Sequence, residues 1–167
     1  MFFTMIPYVH DTAGAVHLVA AVLSLVTGTA VLALPKGTRL HKKIGYLYAA
    51  SMLVVCATSF MIYRLFGGFG VFHAAALVSL VTLAGGMIPA LMRRPESWLS
   101  IHFSLMYWSV MGLYAAFFSE IVTRIPDTPF FGMLGLGTGM IMGGGDTSFT
   151  ATSNDGPRRW NSRVERG

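Results

Sequence analysis

Four stretches of this chain contain no Asp, Glu, Lys or Arg: Thr12–Pro35, Ile44–Tyr63, Leu65–Met92 and Ser97–Ser119. No other feature restricts the fold as strongly. A helix needs about 20 apolar residues to cross a hydrocarbon core of about 30 Å, and each stretch reaches that length. Backbone in lipid must satisfy its own hydrogen bonds, so a span is a helix or a strand of a closed barrel. These stretches are continuously apolar and lack the alternation of barrel strands. They predict an all-α membrane protein, a four-transmembrane-helix antiparallel up-down bundle. Its helices are expected over about 13–34, 40–65, 70–92 and 97–123. Residues 1–125 then form the membrane domain, and 126–167 a tail that is flexible or lies on the interface. Within the tail, Phe130–Gly145 is apolar but too rich in glycine to make a good fifth span.

Composition and charge placement agree. Apolar residues make up 54% and charged residues 11% of the chain, against roughly 25% charged in soluble domains. The net charge of +5 is spread over short connections and the tail, as in membrane proteins, and is no nucleic-acid footprint. Lys36, Arg39, Lys42 and Lys43 sit in the first connection, Arg93 and Arg94 in the third, and only Arg64 in the second. The excess of cations places connections one and three in the cytoplasm and the N-terminus outside the bacterial inner membrane. The first residues lack a basic n-region, so the first helix is expected to be its own uncleaved insertion signal. Cys56, the single cysteine, excludes an intrachain disulfide and a Cys-x-x-Cys-His haem attachment. It reads as a small buried apolar residue.

Ionisable residues in or at the edge of a span are functional-site candidates. His17, His41, His73 and His102 each open one of the four segments. In an up-down bundle His17 and His73 share the outer end, and His41 and His102 the inner end. An internal repeat supports that equivalence. Ser24-Leu25-Val26-Thr27 in helix one reappears as Ser79-Leu80-Val81-Thr82 in helix three. His41 and His102 are each followed five residues later by a tyrosine, Tyr46 and Tyr107. The halves read as two copies of one helical hairpin, which sets copied histidines at matching depth.

Two imidazoles at one depth on facing helices are what a bis-histidine haem needs. The expected chemistry is therefore transmembrane electron transfer through two b-type haems, one on His17 and His73, one on His41 and His102. One turn inside each end, the two levels are roughly 18 Å apart. Small residues beside His17, His41 and His73 leave room, whereas Leu105 and Met106 flank His102. Arg39 is a candidate partner for a haem propionate, although its first explanation is the cytoplasmic charge bias. Glu120 lies five turns beyond His102 on the same helix face, where it would point toward the outer pair, take a proton or pair with Arg64 or Arg124. Two rival readings stand beside this one. The histidines are interfacial residues of a cofactor-free membrane scaffold or assembly subunit, or the repeat builds a small proton-coupled transporter using Glu120. Partners are the lipid bilayer and, for electron transfer, a redox protein or quinone; a homo-oligomer or a larger membrane complex is open.

Gly37-Thr38-Arg39-Leu40-His41-Lys42-Lys43-Ile44-Gly45-Tyr46-Leu47-Tyr48 resembles the His-x-x-x-Gly-x-x-Tyr stretch opening helix two in bacterial predicted membrane proteins catalogued as domain of unknown function 2306. The resemblance covers roughly residues 12–123 and implies no activity. The layout is more distantly similar to the cytochrome b561 class, a four-helix core with one histidine per helix and two b haems. That likeness implies His17 with His73 and His41 with His102 as axial pairs. The chain departs from it by lacking the two flanking helices of the six-helix forms and any clear ascorbate or quinone site.

Overall fold

A computed structural model describes residues 12–61 and 69–122, together with 132, 135, 136, 138–141, 143 and 144 of the tail. The described residues form four long helices: α1 Thr12–Ala33, α2 Arg39–Ser59, α3 Val71–Met92 and α4 Trp98–Val122. At 1.5 Å per residue each is about 30 Å or longer. The expected ends agree to within a residue or two except at the end of α2, where 62–68 lie outside the described residues.

Local chemistry sets these boundaries. Pro35 and Gly37 follow α1, with Gly37 at φ 80°, a conformation that favours glycine. Thr38 caps α2, its hydroxyl accepting the His41 backbone N–H at 3.1 Å. At the start of α3 the His73 ring reaches back, its Nδ1 accepting the Gly70 N–H at 3.1 Å. α3 ends on Arg93 in the left-handed region, two residues before Pro95. Pro89 lies inside α3 without ending it.

The chain divides into two compact units, Met1–Met106 and Tyr107–Gly167. In the first, α1 packs on α2 and α2 on α3. Ser24 and His17 of α1 pair with Ser51 and Thr58 of α2. Partner numbers rise on α2 as they fall on α1, so these helices are antiparallel. Tyr48, Met52 and Cys56 form a buried stripe on α2, facing a core that includes Ala20 and Val31 of α1 and Ala76 and Leu83 of α3. In the second unit, α4 buries Val110, Leu113, Ala115 and Ser119. The Ser119 hydroxyl lies 3.1 Å from that of Thr138. Every described residue between 132 and 144 is helical.

Large apolar side chains cover the outside. On α1 and α3, Val19 is 69% exposed and Val81 70%. Leu18, Val26, Val78 and Leu91 are exposed too. An apolar surface of this extent has no stable place in water. α1, α3 and α4 are long and apolar enough to cross a membrane. α2 does not meet that measure among the described residues, because Arg39, Lys42 and Lys43 occupy its first turns. Its uncharged part, Ile44–Ser59, is about 24 Å long.

Candidate functional site

Each of the four histidines is a fixed part of the helix packing. His17, near the start of α1, is half-buried, with Nδ1 2.9 Å from Thr58 Oγ1. The Thr58 hydroxyl has one proton, which it donates to the carbonyls of Val54 (2.7 Å) and Val55 (3.1 Å). It therefore accepts from His17, and the Nδ1–H tautomer of His17 leaves a lone pair on Nε2. One turn into α4, His102 Nδ1 is 2.8 Å from the Gly86 carbonyl. A carbonyl only accepts, so this ring is also the Nδ1–H tautomer.

His73 is the reverse case. Its Nδ1 is an acceptor, held by the Gly70 N–H, so the proton of the neutral ring is on Nε2. The ring is 4% exposed. Phe69 stacks on it at 5.1 Å and Phe60 lies tilted at 6.1 Å. Burial to this degree rules out the expectation that His73 sits with a polar edge in water.

At the opposite end of the first unit, His41 hydrogen-bonds to the Val31 backbone, and His102 and Lys36 lie close enough for their charges to act on it. Its Nδ1 is buried and has no hydrogen-bond partner. His41 and His102 thus lie within electrostatic reach of each other at this end of the first unit. Lys36, in the turn between α1 and α2, donates to the carbonyls of Val31 and Leu32 at the end of α1. Burial pulls its ammonium below the usual lysine pKa of 10.5. Arg39 is exposed on the first turn of α2. Glu120 stands in the last turn of α4, half-buried, in the second unit.

These details bear on whether the chain fits haem. An axial histidine presents a lone pair on Nε2 while Nδ1–H is held by an acceptor. His17 and His102 have that arrangement. His73 does not: its Nδ1 lone pair is spent on the cap and its faces are covered by phenylalanine, so the outer pair does not fit. Gly85 and Gly86 do not open a slot beside His102 either. A Cβ at Gly86 would stand 2.9 Å from Met106 Sδ, and one at Gly85 2.9 Å from Leu105 Cδ1. No group of three or more His, Cys, Asp and Glu that could hold a metal ion occurs among the described residues.

Sequence reasoning missed Thr58, the Ser24–Ser51 pair at 2.8 Å and the two phenylalanines. A signal for the first two existed. His17 and Ser24 are seven residues apart on α1, and Ser51 and Thr58 seven apart on α2, so each set lies on one helix face.

The model of one protein family matches residues 14–142, and it is described as predicted membrane protein (DUF2306). The chain belongs to that family. The match to DUF2306 runs past the end of α4 to residue 142. No curated protein matches the DUF2306 chain, and no solved structure does.

Proposed function

We propose that this DUF2306 protein crosses the bacterial inner membrane four times and acts as a cofactor-free scaffold or assembly subunit. Its histidines hold helices in register. One observation carries the reading: His17, His73 and His102 each commit Nδ1 to a bond that fixes a helix. α2 is the fourth span. Its Lys42 and Lys43 reach the headgroups on long side chains, while Ile44 and the residues after it lie in hydrocarbon. The N-terminus is outside, and the α1–α2 and α3–α4 connections are cytoplasmic, as their cations direct.

A second reading keeps electron transfer, at the inner end alone. It is favoured by the buried, unpartnered Nδ1 of His41 beside His102. There His41, through its unpartnered Nδ1, and His102, through Nε2, would hold a single b-type haem, with Arg39 for a propionate. The group would supply one-electron exchange with a redox protein or quinone.

A reduced-minus-oxidised absorption spectrum of protein purified from haem-replete cells decides between the two. The scaffold reading expects no haem bands. Bands that survive His17→Ala and His73→Ala but disappear in His41→Ala and His102→Ala would establish the second reading and overturn the first.

A further inference from the structure

The connections α1–α2 and α3–α4 carry exposed cations: Arg39, Lys42 and Lys43 on the first turns of α2, Arg93 and Arg94 after α3. His102 on the first turns of α4 bonds the Gly86 carbonyl in the second half of α3 at 2.8 Å, and α2 packs on both α1 and α3. Lys36 and His102 lie within electrostatic reach of His41, so the starts of α2 and α4 stand at one end of the first unit. None of the five cationic side chains has an ion pair or hydrogen bond among the described residues. The acid on this rim among those residues is Glu96, which is exposed and likewise makes no ion pair.

Placement makes the arrangement unfavourable without an anion. The N-terminus of a helix carries partial positive charge, and cations there are destabilising. α2 has no acid in its first turn. The residues joining α1 to α2, from Leu34 to Thr38, are too few to let the charges spread apart. Apolar side chains stand exposed beside the cations: Leu40 at 53%, Leu91 at 59% and Met92 at 66%. A surface with cations next to apolar groups matches a phospholipid, whose phosphate and acyl chain are joined in one molecule. A nucleic acid or acidic peptide would leave the apolar part uncovered.

We propose that this rim selects anionic phospholipids, with Arg39, Lys42, Lys43, Arg93 and Arg94 contacting their headgroup phosphates. The inference rests on the membrane reading above and goes beyond the charge bias that sets orientation. That bias requires cations on one side, not a lipid held there.

The test uses the full chain reconstituted into vesicles of phosphatidylcholine mixed with phosphatidylglycerol. After extraction in mild detergent at low salt, co-purified lipid is quantified by mass spectrometry. The expected result is enrichment of phosphatidylglycerol over the vesicle ratio by at least about fivefold, the weight of a single cation at an anionic surface. K42Q/K43Q and R93Q/R94Q should each lose part of it, and the four changes together most of it, with Arg39 left. Retention of both lipids at the vesicle ratio by the unaltered protein overturns the proposal. So does undiminished enrichment in both paired variants. Pure phosphatidylcholine vesicles separate the two claims. Insertion there without any preference in the mixture removes this proposal alone, whereas failure to insert removes the membrane reading with it.

Discussion

A polar side chain in a membrane helix is costly until its hydrogen bonds are placed, and in this protein they are placed between helices. Ser24 is 0% exposed and donates to Ser51, which in turn donates to the Tyr48 carbonyl at 2.9 Å. Thr58 turns its proton onto its own helix and offers its lone pair to His17. Removing that acceptor takes away the His17–Thr58 bond between α1 and α2. Thr58→Val is therefore expected to lower stability by about 1 kcal/mol, near the middle of the range for interhelical polar contacts in membranes. Thr58→Ser keeps the hydroxyl and should restore most of it. Thermal unfolding of purified protein in detergent reads both, and equal midpoints for Thr58→Val and the unaltered protein would sink the assignment. Which residues are ionisable and where they lie was legible in the sequence. Which nitrogen of each ring is engaged was not, because that depends on partners such as Gly70, Gly86 and Thr58, which become neighbours only through folding.

At the scale of elements, the two hairpins differ in what holds them. α1 and α2 are joined by the polar pairs. The counterpart of Ser51 in the second hairpin is Gly112, by the same offset that relates His41 to His102, and glycine offers no hydroxyl. α3 and α4 instead meet through close approach at Gly85 and Gly86. The two glycines differ. A methyl at Gly85 meets only the end of the Leu105 side chain, which can turn away. At Gly86 it meets Met106 Sδ at 2.9 Å, Met106 Cγ at 3.1 Å and Leu105 Cβ at 3.3 Å, and Cβ cannot move without the helix. Overpacking of this kind costs about 1–3 kcal/mol. Gly86→Ala is expected in that range and Gly85→Ala well below it, measured as the difference in unfolding free energy in detergent. Equal losses would mean that α4 gives way as a whole. Gly85-Gly86 was readable as a close contact or a kink, and the contact is what it makes. The different roles of His17 and His73 were not readable, since both are histidines at a helix start and only their folded surroundings differ.

At the scale of the whole molecule, the polar pairs bear on whether α2 crosses the membrane. α1 is uncharged throughout and long enough to span. α2 lies antiparallel to it, with His17–Thr58 near one end and Ser24–Ser51 further in. A helix lying on the membrane surface would meet α1 at one depth only. Pairing at two depths, with Ser24 and Ser51 both buried, supports the proposal that α2 follows α1 through the bilayer. The charged first turns of α2 then reach the headgroups, and only the uncharged part needs to sit in hydrocarbon, somewhat under the core thickness and tolerable with local thinning. The two alternatives place the α3–α4 connection on opposite sides. If α2 crosses, Pro35 and Glu96 share one side. If it does not, α3 starts where α1 ended, and Glu96 emerges on the other. With Cys56, which is buried, replaced by serine, Pro35→Cys and Glu96→Cys can be probed singly with a membrane-impermeant maleimide. Both are expected to stay unlabelled in intact spheroplasts and to react once the membrane is permeabilised. Labelling of the cysteine at 96 but not of that at 35 in intact cells would reduce the crossings to three and require α2 to leave the face of α1.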